Sequence, residues 1–147
     1  MPSFRPLRYV LEVESTARRL LRLSLEVPAP IPGTTMELRM PAWSPGSYMI
    51  RDYARHVERV GARDPGGRPL GVRRVSKDRW EVDLPASGAV RVSWSVYANE
   101  LSVRSSHVDD THAFLQPTAA FLCPEGMQDR PLTVEVRAPK GWDVATS

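Results

Sequence analysis

The chain has 147 residues, with 20 basic and 17 acidic side chains and a formal net charge of +3. This length fits one domain with its own hydrophobic core. The single cysteine, Cys123, excludes an internal disulfide and a Cys-x-x-Cys metal site. Basic and acidic residues are interspersed, whereas a surface that tracks phosphates needs one sign concentrated on one face, so we expect no nucleic-acid binding.

The sequence contains no membrane-spanning or exported segment of the usual kinds. The first residues have no apolar stretch typical of a secretory signal peptide. Nowhere do about 18 apolar residues follow one another, so we expect no membrane span. A lone cysteine suits a reducing compartment, and we expect a cytoplasmic protein.

Alternation of apolar and polar residues with period two dominates the chain, and it predicts half-buried β-strands. Six segments show it clearly, at 7–13, 21–27, 36–40, 80–84, 90–96 and 132–136. Weaker strand candidates lie at 55–62 and 70–75. No segment longer than one or two turns has a helical period, and 50–54 is the best short candidate for a helix.

Proline- and glycine-rich segments separate the predicted strands. The Asp-Pro-Gly-Gly sequence at 64–67 is a strong hairpin signal, and Pro-Ala-Ser-Gly at 85–88 is a second one. Many short strands with such punctuation predict an all-β fold, either an antiparallel β-sandwich or a curved open sheet of about eight to ten strands. The chain has no internal repeat or linker, so residues 1–147 are expected to form a single domain.

The stretch 41–57, PAWSPGSYMIRDYARHV, is the least generic part of the chain. Pro45-Gly46 predicts a turn, because proline fixes φ and glycine permits positive φ. Trp43 and Tyr48 flank this turn and combine a large apolar body with a polar tip. The stretch is either a well-packed bend that caps the β-core or a docking corner for a neighbouring domain.

Residues 99–125 interrupt the alternation and contain the candidate chemistry. His107, Asp109, Asp110 and His112 form the only dense cluster of potential metal ligands in the sequence. The two histidines are five residues apart, which matches neither one face of a helix nor one face of a strand, so a polar loop is favoured over a metal site. Cys123 has no base near it in sequence, and we expect an inert, buried thiol. The sequence therefore predicts no catalytic residues and no metal in this chain.

Two stretches together resemble the N-terminal domain of the glycyl aminopeptidase-type zinc metallopeptidases. The first is 41–57. The second is a series in which Tyr-Ala at 97–98 and Leu-Ser-Val-Arg at 101–104 precede His107, Asp109 and the His-Ala-Phe sequence at 112–114. The resemblance extends from about Tyr9 to Trp142. It implies an N-terminal β domain followed by a thermolysin-like zinc domain with a His-Glu-x-x-His motif and then a PDZ domain.

The zinc-binding motif of that family is absent from residues 1–147. The resemblance therefore implies that this chain is the N-terminal domain, or a fragment, of a larger protein whose zinc lies in a catalytic domain downstream. In a related, broader aminopeptidase family, this domain forms one wall of the substrate cleft. A Gln or Glu shortly before a Pro-Cys reaches the substrate amine there. Gln116, which precedes Cys123-Pro124, is the matching candidate, since its amide oxygen can accept from an ammonium group. A simple turn residue before Pro117 is the alternative.

The remaining distinctive residues are interpreted as a domain interface. Arginine forms bidentate pairs with carboxylates and stacks on aromatic rings. We expect an Arg–Asp pair to tie the corner at 45–46 to the loop at 107–112, both facing the catalytic domain. The expected interface residues are Trp43, Tyr48, Arg51, Asp52, Tyr53, Arg104, His107, Asp109 and His112.

A second functional hypothesis is a stand-alone binding module that uses Trp43, Tyr48 and Tyr53 as an aromatic platform. The reading frame beyond Ser147 distinguishes the two hypotheses. Under the first, the partners are the catalytic domain of the same polypeptide and a peptide substrate. An isolated domain would expose the apolar surface that its partner covers, so a homodimer of the fragment is also expected to be possible.

Overall fold

The computed structural model describes residues 5–15, 17–40, 57–97, 107–108, 113–114, 121–127 and 129–142, with only the backbone described at 107–108 and 113–114. Within these ranges the chain forms twelve β-strands. In chain order they are β1 (Leu7–Ser15), β2 (Leu20–Val27), β3 (Thr35–Arg39), β4 (Val57–Arg63), β5 (Pro69–Leu70), β6 (Val72–Ser76), β7 (Arg79–Asp83), β8 (Val90–Tyr97), β9 (His107–Val108), β10 (Ala113–Phe114), β11 (Cys123–Pro124) and β12 (Leu132–Arg137).

The strands form two main open sheets, which confirms the predicted all-β class. The larger sheet has six strands in the order β12-β1-β2-β8-β4-β5, and the smaller has four in the order β11-β3-β7-β6. The short strands β9 and β10 pair with each other. The pairing is antiparallel throughout the described strands except that β12 runs parallel to β1. Alternation indicates which face of a strand is buried and not which way the strand runs, so the parallel pair could not be predicted from the sequence.

The predicted strands match the observed ones closely. The six clear alternating segments correspond to β1, β2, β3, β7, β8 and β12, and the weaker candidates correspond to β4 and to β5 with β6. The helix candidate at 50–54 lies outside the described residues. In the part of the chain that is described, no helix has the length and hydropathy needed to cross a bilayer.

One hydrophobic core lies between the two main sheets. Its centre is the middle of the six-stranded sheet, where Leu23, Leu25, Val92 and Trp94 are fully buried. The four-stranded sheet contributes Leu38 and other buried residues from the opposite side. The alternating apolar positions of β2, β3, β7 and β8 are therefore inside, as the sequence predicted.

Tyr9 on β1 connects the larger sheet to the segment that enters β11. Its hydroxyl donates a hydrogen bond to the Leu122 carbonyl over 2.8 Å. The ring packs edge-on against Phe121, with the ring centroids 5.2 Å apart. Burial, together with nearby Cys123, raises the pKa of Tyr9 well above its ordinary value, so the phenol stays protonated.

The hairpin predicted at 64–67 is confirmed. It joins β4 to β5, and Gly67 takes a φ of 85°. The Asp64 amide donates to the Arg68 carbonyl at 3.0 Å, while the Asp64 carboxylate accepts from the Arg68 amide at 2.9 Å. These bonds use the local side-chain chemistry that favours aspartate in turns.

The second hairpin prediction, at 85–88, is wrong. This segment carries the chain from β7 in the four-stranded sheet to β8 in the six-stranded sheet. Gly88 has a φ of 95°, and a Cβ placed on it would lie 2.7 Å from the Cγ atom of Pro65. The glycine therefore allows the crossover to pack against the first hairpin. Turn residues mark a change of chain direction and do not indicate which sheet the next strand joins.

Candidate interaction surface

Most of the residues predicted to form a site lie outside the described ranges. These are Trp43, Tyr48, Arg51, Asp52, Tyr53, Arg104, Asp109, His112 and Gln116. His107 is described as backbone, and it pairs with Phe114 between β9 and β10. The Arg–Asp pair expected between 45–46 and 107–112 also falls outside the described ranges, so the interface and substrate-binding roles stay predictions.

The described residues offer no metal site and no activated nucleophile. Among them, no group of three or more His, Cys, Asp or Glu side chains is arranged to hold a metal ion. Cys123 is half-buried in β11. Burial raises the pKa of its thiol, and the charge of Glu125 raises it further, so the thiol stays protonated near neutral pH. The thiol is thus less buried than expected, and its inertness stays a prediction.

Strand β12 carries an exposed apolar surface. Its alternation in the sequence is the same as that of the buried strands, so the sequence did not indicate that this strand is exposed. In the parallel register with β1, Leu132 pairs with Leu7 and Val134 pairs with Tyr9. Neighbours in register point to the same side of a sheet, so these side chains face the core side. All six residues of β12 are nevertheless exposed. We call Leu132, Val134 and Val136 the β12 apolar row.

The exposure of the β12 apolar row is large for residues on the core side of a sheet. Leu132 is 53% exposed, Val134 is 44% exposed and Val136 is 37% exposed. Leu122 and Phe121, just before β11, contact Tyr9 on the inner face of β1, whereas the described residues of β12 are exposed. Scattered single apolar residues on a surface need no explanation, whereas a contiguous row on an edge strand marks an interaction surface.

The edge and the outer face of β12 complete this surface. In the described part of the chain, β12 has a neighbouring strand on one side only. Its other edge therefore presents backbone donors and acceptors of the kind that pair with an added strand. On the outer face, Arg137 and Glu135 form an ion pair at 2.9 Å. The strand is thus charged on its outer face and apolar towards the core side.

The position of β12 in the chain also matters. It is the last described strand, and Trp142, five positions after its final residue, packs partly buried against the core. The Trp142 amide donates to the Pro139 carbonyl at 3.1 Å, which closes a turn just after β12. Trp142, the last described residue, is therefore held against the core and not extended into solvent.

Comparison with known proteins gives a family match over nearly the whole chain. Residues 8–147 match the family described as the peptidase M61 N-terminal domain. No curated protein sequence matches the chain.

Among solved structures, the chain is similar to an aminopeptidase N family protein from Idiomarina loihiensis, with 33% identity and a TM-score of 0.85. The match covers 91% of this chain and 22% of that one. An M1 zinc metallopeptidase from Deinococcus radiodurans is 14% identical with a TM-score of 0.48, over 94% of this chain and 32% of that one. The chain thus spans a third or less of the length of these structures.

Proposed function

The chain belongs to the peptidase M61 N-terminal domain family, and from that premise we propose that it is the non-catalytic N-terminal domain of a zinc metallo-aminopeptidase. In this proposal it docks through the β12 apolar row onto a catalytic domain encoded after residue 147. The zinc ion belongs to that downstream domain, where it would activate water and polarise the scissile carbonyl. The described residues of this chain, which contain no group of metal ligands, contribute a scaffold.

The observation that supports docking is the exposure of the β12 apolar row on the last described strand. Leaving three aliphatic side chains in water on the core side of a sheet forgoes the free energy that their burial would supply. In the proposed arrangement the catalytic domain encoded after residue 147 would cover these side chains. The similar Idiomarina loihiensis protein, of which the match covers 22%, has ample further chain.

We also propose that the domain forms one wall of the substrate cleft. In that arrangement Gln116 accepts a hydrogen bond from the free amino group of a peptide substrate. The predicted interface residues Arg51, Asp52, Arg104, His107 and their neighbours would face the catalytic domain. The alternative, a stand-alone binding module with an aromatic platform, depends on Trp43, Tyr48 and Tyr53, which lie outside the described ranges. A cytoplasmic location stays a prediction.

The docking proposal is tested in the protein extended through the sequence that follows residue 147 in the gene. A double variant, Leu132→Lys with Val134→Lys, should increase limited proteolysis between the domains and lower kcat/KM for aminopeptidase substrates. The matched control, Thr133→Lys with Glu135→Lys, places the same two residues on the opposite face of β12 and should leave both measurements near wild type. Equal effects of the two pairs, or a stop codon directly after codon 147, would contradict the proposal.

The substrate-binding role of Gln116 has its own test. A hydrogen bond to a charged group contributes about 1.5–3 kcal/mol, so Gln116→Ala in the extended protein should lower kcat/KM for a free-amine peptide by about tenfold or more. A substrate with an acetylated amino terminus serves as the control, and its residual cleavage should not change. An unaltered kcat/KM for the free-amine peptide would remove Gln116 from the proposed cleft.

A further inference from the structure

A polar cluster centred on one buried serine lies on the outer face of the six-stranded sheet. At its centre Ser95, on β8, is fully buried although its side chain points away from the core. The Ser95 hydroxyl donates to Glu14 at 3.0 Å and accepts from Arg22 at 3.1 Å and Arg59 at 2.6 Å. Arg59 and Glu14 also form an ion pair. Three charged side chains thus enclose one hydroxyl on a face that is otherwise open.

A bulge in β4 places Arg59 in this cluster. The pairing of β4 with β8 shifts between Glu58 and Gly61, so that β4 carries one extra residue there. Arg59 takes a φ of 54°, in the left-handed region that arginine rarely adopts. Bulges redirect side chains and are enriched beside functional sites. Here the bulge turns the guanidinium of Arg59 towards β8 and Glu14.

An open cavity of about 390 Å³ lies next to the cluster. Arg22, Arg59, Arg63 and Ser93 line its polar side, and Pro69 and Leu70 are among the residues on its apolar side. Gly61 opens into this space, since a Cβ placed on it would meet no atom within 4 Å. The volume lies in the range of small-molecule sites, which is about 300–1,000 Å³.

The positive charge around the cavity is only partly balanced. In the described part of the chain, no carboxylate forms an ion pair with Arg22 or Arg63, although Glu12 lies opposite Arg22 in the pairing of β1 with β2 and Glu14 is close enough to feel the Arg22 charge. Arg22 donates to Ser93 at 2.9 Å and to Ser95, and Arg63 donates to the Gly67 carbonyl at 2.8 Å. Arg63 also sits directly opposite Arg91 in the pairing of β4 with β8. Like charges in such a cross-strand pair are unfavourable.

We propose that this cavity binds an oxyanion, the carboxylate or phosphate group of a small organic ligand. Arg22 and Arg63 would pair with the anion, because the planar guanidinium forms strong, charge-assisted bonds to such groups. Ser93 accepts from Arg22, so its own proton is available to donate to the same anion. The apolar side of the cavity would contact the carbon skeleton of the ligand. The residues involved lie on β2, β4 and β8, away from the β12 apolar row.

The test is a titration of the isotopically labelled chain with inorganic phosphate and, separately, with acetate, followed by the amide NMR signals of Gly61 and Ser93. Sodium chloride holds the ionic strength constant. We expect saturable shifts with at least one anion. Loss of a hydrogen bond to a charged group costs about 1.5–3 kcal/mol, so Arg63→Gln should weaken binding about tenfold or more.

Two further variants make the result specific. Gly61→Leu places a side chain in the cavity and leaves every charge in place, and it should abolish binding; a Cβ at this position meets no atom within 4 Å. Lys77→Gln removes one exposed positive charge from the turn between β6 and β7 and should bind like wild type. Binding of phosphate alone identifies a phosphate ester as the ligand class, and binding of acetate alone identifies a carboxylic acid. No saturable shift with either anion, or unchanged affinity in folded Gly61→Leu and Arg63→Gln, would overturn the proposal.

Discussion

Strands β1 and β12 are adjacent and parallel in one sheet, and they point apolar side chains to the same side, yet their burial differs sharply. Leu7 is 1% exposed and its register partner Leu132 is 53% exposed. Tyr9 is 3% exposed and its partner Val134 is 44% exposed. Leu122 and Phe121 contact Tyr9 on the inner face of β1, whereas the β12 apolar row is exposed. The burial of a strand in this fold therefore depends on whether other residues pack against its inner face. Strand β12 has the alternation of a core strand, but its apolar side chains are exposed.

The same substitution should have very different effects on stability in β1 and in β12. Leu7→Ala should lower the free energy of unfolding by about 2–5 kcal/mol, because a buried leucine leaves a cavity. Leu132→Ala should lower it by less than about 1 kcal/mol, because solvent already surrounds that side chain. Urea denaturation of the two variants measures the difference. Similar losses would show that β12 is covered to the same degree as β1.

The second register pair, Tyr9 and Val134, should show the same contrast. Tyr9→Phe removes the hydroxyl that bonds the Leu122 carbonyl and leaves that carbonyl unsatisfied beside a buried ring. Such a loss costs about 1–3 kcal/mol of unfolding free energy. Val134→Thr, at the partner position on β12, introduces a hydroxyl where water is available and should change stability by less than about 0.5 kcal/mol. If Val134→Thr lowered the free energy of unfolding by more than this, residue 134 would have to lie in an apolar environment.

Two glycines with similar backbone conformations extend the contrast between covered and open positions. Gly88 has a φ of 95° and Gly126 a φ of 83°, but a Cβ would clash with Pro65 at Gly88 and meet nothing within 4 Å at Gly126. Both alanine substitutions should cost about 1–2 kcal/mol for the left-handed backbone, and Gly88→Ala should cost more. Thermal unfolding of both variants checks this order. Equal losses of stability in the two variants would mean that Pro65 moves away from the added methyl group without an energetic penalty.

The smallest expected effect depends on pH. Burial raises the pKa of Glu14, but hydrogen bonds from Arg59 and Ser95 and the charges of Arg59 and Arg22 outweigh it, so the pKa lies below its ordinary value of 4.5. A depressed carboxyl pKa stabilises the fold above the unfolded-state pKa, and this contribution is lost as pH falls through the folded-state pKa.

Glu14→Gln should therefore lower stability by about 0.5–1 kcal/mol at pH 7, and the difference from wild type should disappear in strong acid. Glu135→Gln breaks the exposed pair with Arg137 on β12 and should have a smaller effect at pH 7. Denaturation curves across the acid range test both variants. If Glu14→Gln stayed less stable than wild type at pH values below the folded-state pKa, the loss of stability would not come from the Glu14 charge.

The sequence predicted the strands well because alternation and turn residues are local signals. Leu23, Leu25, Val92 and Trp94 fell on the inner face as expected, and the hairpin at 64–67 formed. The crossover at 85–88 was mistaken for a hairpin because sheet membership depends on distant strands. The exposure of Leu132, Val134 and Val136 was not predictable for the same reason, since alternation cannot tell whether another layer covers a face.

The functional residues also divide into those that local sequence motifs indicated and those that depend on distant strands. The family resemblance came from the specific series in 41–57 and 97–114, and the family match over residues 8–147 confirmed it. The roles assigned to Gln116, Arg51 and His107 stay predictions. The cluster around Ser95 was not predictable, because it joins β1, β2, β4 and β8 and depends on a bulge at Arg59 that no turn signal marks.

The most direct test of the account measures whether a downstream domain covers β12. With Cys123→Ser as background, Val134→Cys introduces one thiol in the β12 apolar row, and its labelling rate is measured in the 147-residue chain and in the protein extended past residue 147. Glu135→Cys, on the opposite face of β12, is the control and should label equally fast in both proteins. If a downstream domain covers β12, the cysteine at position 134 should be labelled rapidly in the short chain and strongly protected in the extended protein. Equal labelling rates at that position in the two proteins would contradict it.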